Sequence, residues 1–146
     1  MRRKHLSVLG TFLAVSFLVA MAGAGNTNTL DDAVAASDAG DYVTAVRILR
    51  PLAEQGNASA QNSLGWMYAK GKGVKKDNSE AVKWFRKAAE QGNANAQYAT
   101  ASMYRGGHGV AKNYAEAAKW YRKSAEQGNA SAQVSLGDMY YRSQYE

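Results

Sequence analysis

Ala53-Glu54-Gln55-Gly56-Asn57 returns as Ala89-Glu90-Gln91-Gly92-Asn93 and again as Ala125-Glu126-Gln127-Gly128-Asn129, a spacing of 36 residues each time. Laying 53–88 over 89–124 gives identity at about twenty of thirty-six positions, and self-similarity at a fixed period of this length is the mark of a repeat array. Within one period the apolar residues fall in two blocks. Ala60, Leu64, Met67 and Tyr68 form the first and Ala81, Trp84, Phe85 and Ala88 the second, each at the three- and four-residue steps of an amphipathic helix. Every period therefore predicts a pair of helices.

The punctuation between the blocks agrees. Gly56, Gly92 and Gly128 stand where a second helix would end in a left-handed residue, and the Asn after each can cap the helix that follows. Asp77 with Glu80, and Asn113 with Glu116, have the spacing of capping boxes at the starts of the second helices. Gly71-Lys72-Gly73-Val74 and Gly107-His108-Gly109-Val110 join the two helices of a repeat. Phosphate-cradling loops are also rich in glycine, but here no strand precedes and no Gly-Lys-Ser/Thr follows, so these are structural turns.

Working outward, Asp41 to Leu52 aligns with Asp77 to Ala88 as a degenerate second helix, and Leu30 to Ala39 predicts its shortened partner. Pro51 should weaken the last turn of that helix. Ala130 to Tyr145 repeats only a first helix. The expectation is seven helices in an all-α, right-handed solenoid of antiparallel pairs, over residues 25–146: a degenerate pair at 30–52, repeats at 53–88 and 89–124, and a partial capping repeat at 125–146.

The remaining segment, 1–24, has another character. Basic Arg2, Arg3 and Lys4 are followed by an uncharged stretch from Leu6 to Met21 and by small residues, the anatomy of a secretory signal cleaved after Ala22 or Ala24. An uncleaved anchor is the alternative, although the apolar run is short for a span of about 20 residues. The predicted location is periplasmic or secreted. The formal charge is +6, but three of the 18 Lys+Arg lie in this segment, which leaves 15 against 12 Asp+Glu, a net of +3. That mixed surface argues against a nucleic-acid partner. The chain has no cysteine, which excludes disulfides, thiolate metal sites, a cysteine nucleophile and a lipidated cysteine anchor.

Leu64-Gly65-x-Met67-Tyr68, Gly71-x-Gly73-Val74, Asp77, Ala81 and Trp84-Phe85-x-Lys87-Ala88-Ala89-Glu90-Gln91-Gly92 resemble the Sel1-like repeat, a relative of the tetratricopeptide repeat, from Leu30 to the end of the chain. The resemblance implies a right-handed superhelix that acts as an adaptor in protein complexes. It further implies, for exported relatives, roles as regulators, inhibitors or immunity proteins, and, for a cysteine-rich branch, binding or hydrolysis of β-lactams. A cell-wall or β-lactam ligand is thus the alternative function, weakened by the missing cysteines.

Candidate chemistry is sparse. His5 and His108 are the two histidines, and the counterpart of His108 one repeat earlier is Lys72, so a catalytic triad has little to draw on. No catalytic residue, cofactor or metal site is expected. Trp84, Trp120, Tyr68, Tyr104 and Tyr140 sit at equivalent positions and read as packing. Gly65 and Gly137, with Ala101 in register between them, read as points of close helix approach.

Positions that differ between repeats are free of the scaffold. On the first helices these are Ser59, Asn62, Trp66 and Ala69, then Asn95, Tyr98, Ser102 and Arg105, then Ser131, Val134, Asp138 and Tyr141. Their steps of three and four residues place them on one stripe. First helices line the concave side of such solenoids, so the candidate binding surface for a protein partner consists of Asn62, Trp66, Tyr98, Arg105, Asp138 and Tyr141. Weak homo-association through the last helix, via Leu136, Met139 and Tyr140, is a further expectation.

Overall fold

The computed structural model describes residues 28–145, and the signal-like segment 1–24 lies outside the described residues. The five-residue motif is where the chain turns. Gly56, Gly92 and Gly128 have φ of +97°, +92° and +87°. At the first of these turns the Gly56 N–H donates to the Ala53 carbonyl at 3.1 Å and the Asn57 N–H to the Leu52 carbonyl at 3.1 Å, the paired bonds that close a helix C-terminus. The Asn57 side chain also accepts the Ala60 N–H at 2.9 Å. One residue thus finishes one helix and starts the next, and Asn93 and Asn129 repeat both bonds.

Between such turns run α1 (Leu30–Asp38), α2 (Tyr42–Glu54), α3 (Ala58–Lys70), α4 (Asn78–Glu90), α5 (Ala94–Gly106), α6 (Tyr114–Glu126) and α7 (Ala130–Tyr145). These are the seven expected helices, with no strand among the described residues. Each helix packs mainly on the one before and the one after it in the chain, as in a solenoid. Pro51 lies on an exposed side of the last turn of α2 without ending it.

The core is strung along the array. Ile48, Leu49, Leu64 and Trp84 form its first section, Val82, Phe85 and Met103 its second, and Trp120 and Tyr121 with a set of alanines its third. Trp84 and Trp120 are buried, as their spacing predicted. Lysines one turn on, Lys87 and Lys123, lie 4.5 and 4.8 Å from the ring centroids, within cation–π range. Tyr68 and Tyr104 are half-buried and Tyr140 is exposed; the Tyr68 and Tyr140 hydroxyls accept from Arg50 and Arg122.

Gly65 is a point of close approach. A Cβ there would stand 2.6 Å from Phe85 Cδ1, so α3 and α4 meet over a bare backbone. Gly137 is not one: nothing lies within 4 Å of its missing Cβ, because no described helix covers that side of α7. The capping boxes are also only half formed. Asp77 accepts the N–H groups of Ser79 and Glu80, but its own N–H donates to the Tyr68 carbonyl, and Glu80 pairs with Lys83. Asn113 similarly donates its N–H to the Tyr104 carbonyl. The loop that delivers the chain to each second helix already uses that donor.

Those loops also lock neighbouring repeats. Gly73 has φ +70°, and its missing Cβ would be 2.2 Å from the Tyr42 carbonyl oxygen at the start of α2. Gly109, with φ +71°, rests in the same way on Asn78 at the start of α4. Val74 and Val110 then fold onto the apolar core. A second lock runs through glutamines. Gln91 Nε2 donates to Gln61 Oε1 at 2.7 Å and Gln61 Nε2 to the Ala53 carbonyl at 3.0 Å, while Gln127, Gln97 and the Ala89 carbonyl repeat the relay. Gln61 and Gln97 are buried, and these bonds satisfy amides that would otherwise be costly there.

Candidate functional site

The varied stripe runs along α3, α5 and α7. On α3, Trp66 is 39% exposed. One edge of its ring meets Phe85, centroid to centroid 5.3 Å at 73°, and Lys70 Nζ stands 5.6 Å from its centroid. Half of the indole is therefore packing and half is surface. Asn62, one turn earlier, is half-buried, and its Oδ1 is buried without a hydrogen-bond partner.

The counterpart of Trp66 on α5 is Ser102, and that of Phe85 on α6 is Tyr121. Here the aromatic edge contact gives way to a hydrogen bond, Ser102 Oγ to Tyr121 Oη at 3.0 Å. Tyr98, one turn before Ser102, lies 5.7 Å from the Tyr121 ring. A small side chain where the previous repeat has an indole leaves space. A cleft of about 650 Å³ opens there, between α5, α6 and α7.

Its walls come from three helices. Helix α5 gives Tyr98, Ser102 and Arg105, and α6 gives Tyr114 and Tyr121. Helix α7 adds Ser135, Met139, Arg142 and Ser143. Of the candidate residues, the structure brings Tyr98 and Arg105 together in this cleft. Asn62 and Trp66 belong to the neighbouring level of the stripe, and Asp138 and Tyr141 are exposed on α7 outside the lining. Tyr114, Tyr121 and Arg142 are wall residues that the comparison of first helices could not supply. Two of them lie on a second helix, and Arg142 lies one position beyond the stripe.

The lining combines hydroxyls, aromatic faces and two guanidinium groups, with no histidine or carboxylate among its described residues. No group of three or more His, Cys, Asp or Glu side chains suited to a metal occurs among the described residues. No described helix is long and apolar enough to cross a membrane. His108 is exposed in its loop, as expected of a variable turn position.

A family model for the Sel1 repeat matches residues 58–93, 94–129 and 130–145. The chain belongs to the Sel1 repeat family. Among solved structures, this Sel1 array is similar to a protective antigen of uropathogenic Escherichia coli strains that displays the same repeat fold, with 46% identity and a TM-score of 0.69. The match covers 70% of this chain and 22% of the antigen. A Sel1 repeat protein from Oxalobacter formigenes is 40% identical with a TM-score of 0.73, over 76% of this chain and 46% of that one. Cysteine-rich protein B of Helicobacter pylori is 27% identical with a TM-score of 0.61, over 64% of this chain and 70% of its own. The Sel1 array thus spans about a fifth of the first relative and under half of the second. No curated protein matches it. Sel1 repeats in general serve as non-catalytic scaffolds for protein–protein interaction.

Proposed function

We propose that the chain is an exported scaffold, an adaptor, regulator or inhibitor, that holds a segment of a partner protein against the face formed by α3, α5 and α7. The observation that carries this reading is the convergence of Tyr98 and Arg105, two positions released from the repeat pattern, on one cleft with Tyr121 and Arg142. Tyrosine and arginine are the residue types that supply most binding energy at protein interfaces. Trp66 extends the same face by one level, with its outer surface open. Export rests on the basic, then apolar, then small-residue order of segment 1–24. The mature chain is then a periplasmic or secreted protein.

Two measurements test this. N-terminal sequencing of protein recovered outside the cytoplasm should begin after Ala22 or Ala24. Crosslinking in that compartment should recover a protein partner, and Trp66→Ala combined with Tyr98→Ala should lower its recovery at least about tenfold, as loss of anchoring aromatics does. Wild-type recovery by a double variant of unchanged helicity would overturn the binding face.

A further inference from the structure

We propose that the cleft between α5 and α7 is an acidic-peptide pocket, taking a carboxylate between Arg105 and Arg142 with an aromatic or aliphatic neighbour against Tyr98 and Tyr121. This deepens the proposed function and rests on it.

Comparison of the two levels of the array carries the argument. In the preceding repeat an indole occupies the matching position, with Trp66 packed on Phe85. Here the same two positions hold Ser102 and Tyr121, bonded to each other at 3.0 Å, and the cleft they help to line has a volume of about 650 Å³, within the range of ligand sites.

Among the described residues, what faces that volume is one-signed: Arg105 and Arg142 line it, with no Asp or Glu among the described lining residues. The ion pairs among the described residues are Lys83 with Glu80, Arg86 with Glu90 and Lys119 with Glu116. Neither cleft arginine takes part, although Asp138 sits one turn before Arg142 on the same helix. Arg105 is half-buried, and no carboxylate among the described residues pairs with its guanidinium. A planar five-donor fork in that position is complementary to a carboxylate. Ser135 and Ser143 supply hydroxyls beside it, and Met139 and the tyrosines supply apolar surface. Such a wall suits a peptide residue next to the acidic one better than a bare inorganic anion.

The test uses blocked heptapeptides bearing a central Glu-Phe pair, titrated against the full mature chain by fluorescence anisotropy. Partner peptides carry Gln-Phe, or Ala-Phe with either a free or an amidated C-terminus, so that side-chain and terminal carboxylates are told apart. The Glu-Phe or the free-terminus peptide should bind at least about tenfold more tightly than its neutral counterpart, and added salt should weaken it. Arg105→Gln and Arg142→Gln should each erase most of that preference. Ser102→Trp with Tyr121→Phe copies the Trp66–Phe85 pair into the cleft, so it should fold and fail to bind.

Equal binding of charged and neutral peptides, with Tyr98→Ala weakening both, would overturn the acidic preference and leave the binding face standing. Binding untouched by Tyr98→Ala and by the Trp-Phe plug, or no peptide binding at all, would overturn the pocket. Displacement of the peptide by inorganic phosphate or a DNA oligonucleotide at equal concentration would assign a general anion site and overturn the peptide reading.

Discussion

Gly65 and Gly137 occupy the same position in two repeats, yet a Cβ would meet the Phe85 ring at 2.6 Å in one and nothing within 4 Å in the other. The same substitution should therefore have opposite signs. At both sites alanine gains about 1 kcal/mol of helix preference over glycine. At Gly65 that gain is outweighed by forcing a fully buried ring aside, an overpacking cost of about 1–3 kcal/mol. Urea melts should show Gly65→Ala destabilised by about 1 kcal/mol and Gly137→Ala stabilised by about 0.5–1 kcal/mol. Equal shifts would show that helix preference alone acts at both. The sequence marks these two glycines as equivalent, because register is legible in a repeat. It does not say which of them has a neighbour, since that neighbour, Phe85, lies 20 residues further on and on another helix.

Helices α1 and α2, like α4 at Asp77, begin beside a carboxylate that accepts a backbone N–H, whereas α3, α5 and α6 begin on asparagine. The Thr29 N–H donates to Asp32 at 2.8 Å, and the Asp32 N–H donates back to the Thr29 hydroxyl, a complete capping box. Asp41 accepts the Thr44 N–H at 3.0 Å. Both carboxyls are held below the ordinary value of about 3.9, Asp32 by its bond from the Thr29 backbone and Asp41 by its bonds from Thr44. A depressed folded value means that the stabilisation is present above pH 3.9 and is lost as pH falls through the lower folded value. Helices α3, α5 and α6 start at Asn57, Asn93 and Asn113, whose amides do not titrate. Amide protection at 30–45, taken relative to the intrinsic exchange rate at each pH, should therefore fall on acidification below about pH 4 before protection at 58–70 or 94–106 does. A uniform fall in protection would remove the caps as the cause. The boundaries of these elements were legible because glycine and asparagine mark them with backbone chemistry. The forward bonds of the boxes at Asp77 and Asn113 were legible as well. Their return bonds were not, because the backbone donor involved was taken by a loop carbonyl.

Among the described helices, each interior helix has a packed neighbour on both sides, whereas α1 and α7 each have one. In an array held by nearest-neighbour interfaces, stability is the sum of units and contacts, so the ends should open first. Hydrogen exchange at neutral pH should rank α4 and α5 most protected and α1 and α7 least, and a single cooperative opening across all seven helices would contradict it. The solenoid itself was legible from period and spacing. The cleft was not, because it is made by subtraction. Ser102 looks like one more drifting surface residue until Tyr121, 19 positions on, is seen to bond to it and a cleft is found beside the two. Comparing repeats named Tyr98 and Arg105, and only packing could add Tyr121 and Arg142.

The seating of Gly73 and Gly109 on the helix starts behind them makes each unit an adaptor plug whose fitting is the same at both ends. A duplicated copy of 58–93, spliced after Asn93, would find the carbonyls, glutamines and asparagine caps it needs already presented on both sides. Lengthening by gene duplication then requires no new interface to evolve. That longer relatives superpose on this chain over 70% and 76% of its length is the history such a joint permits.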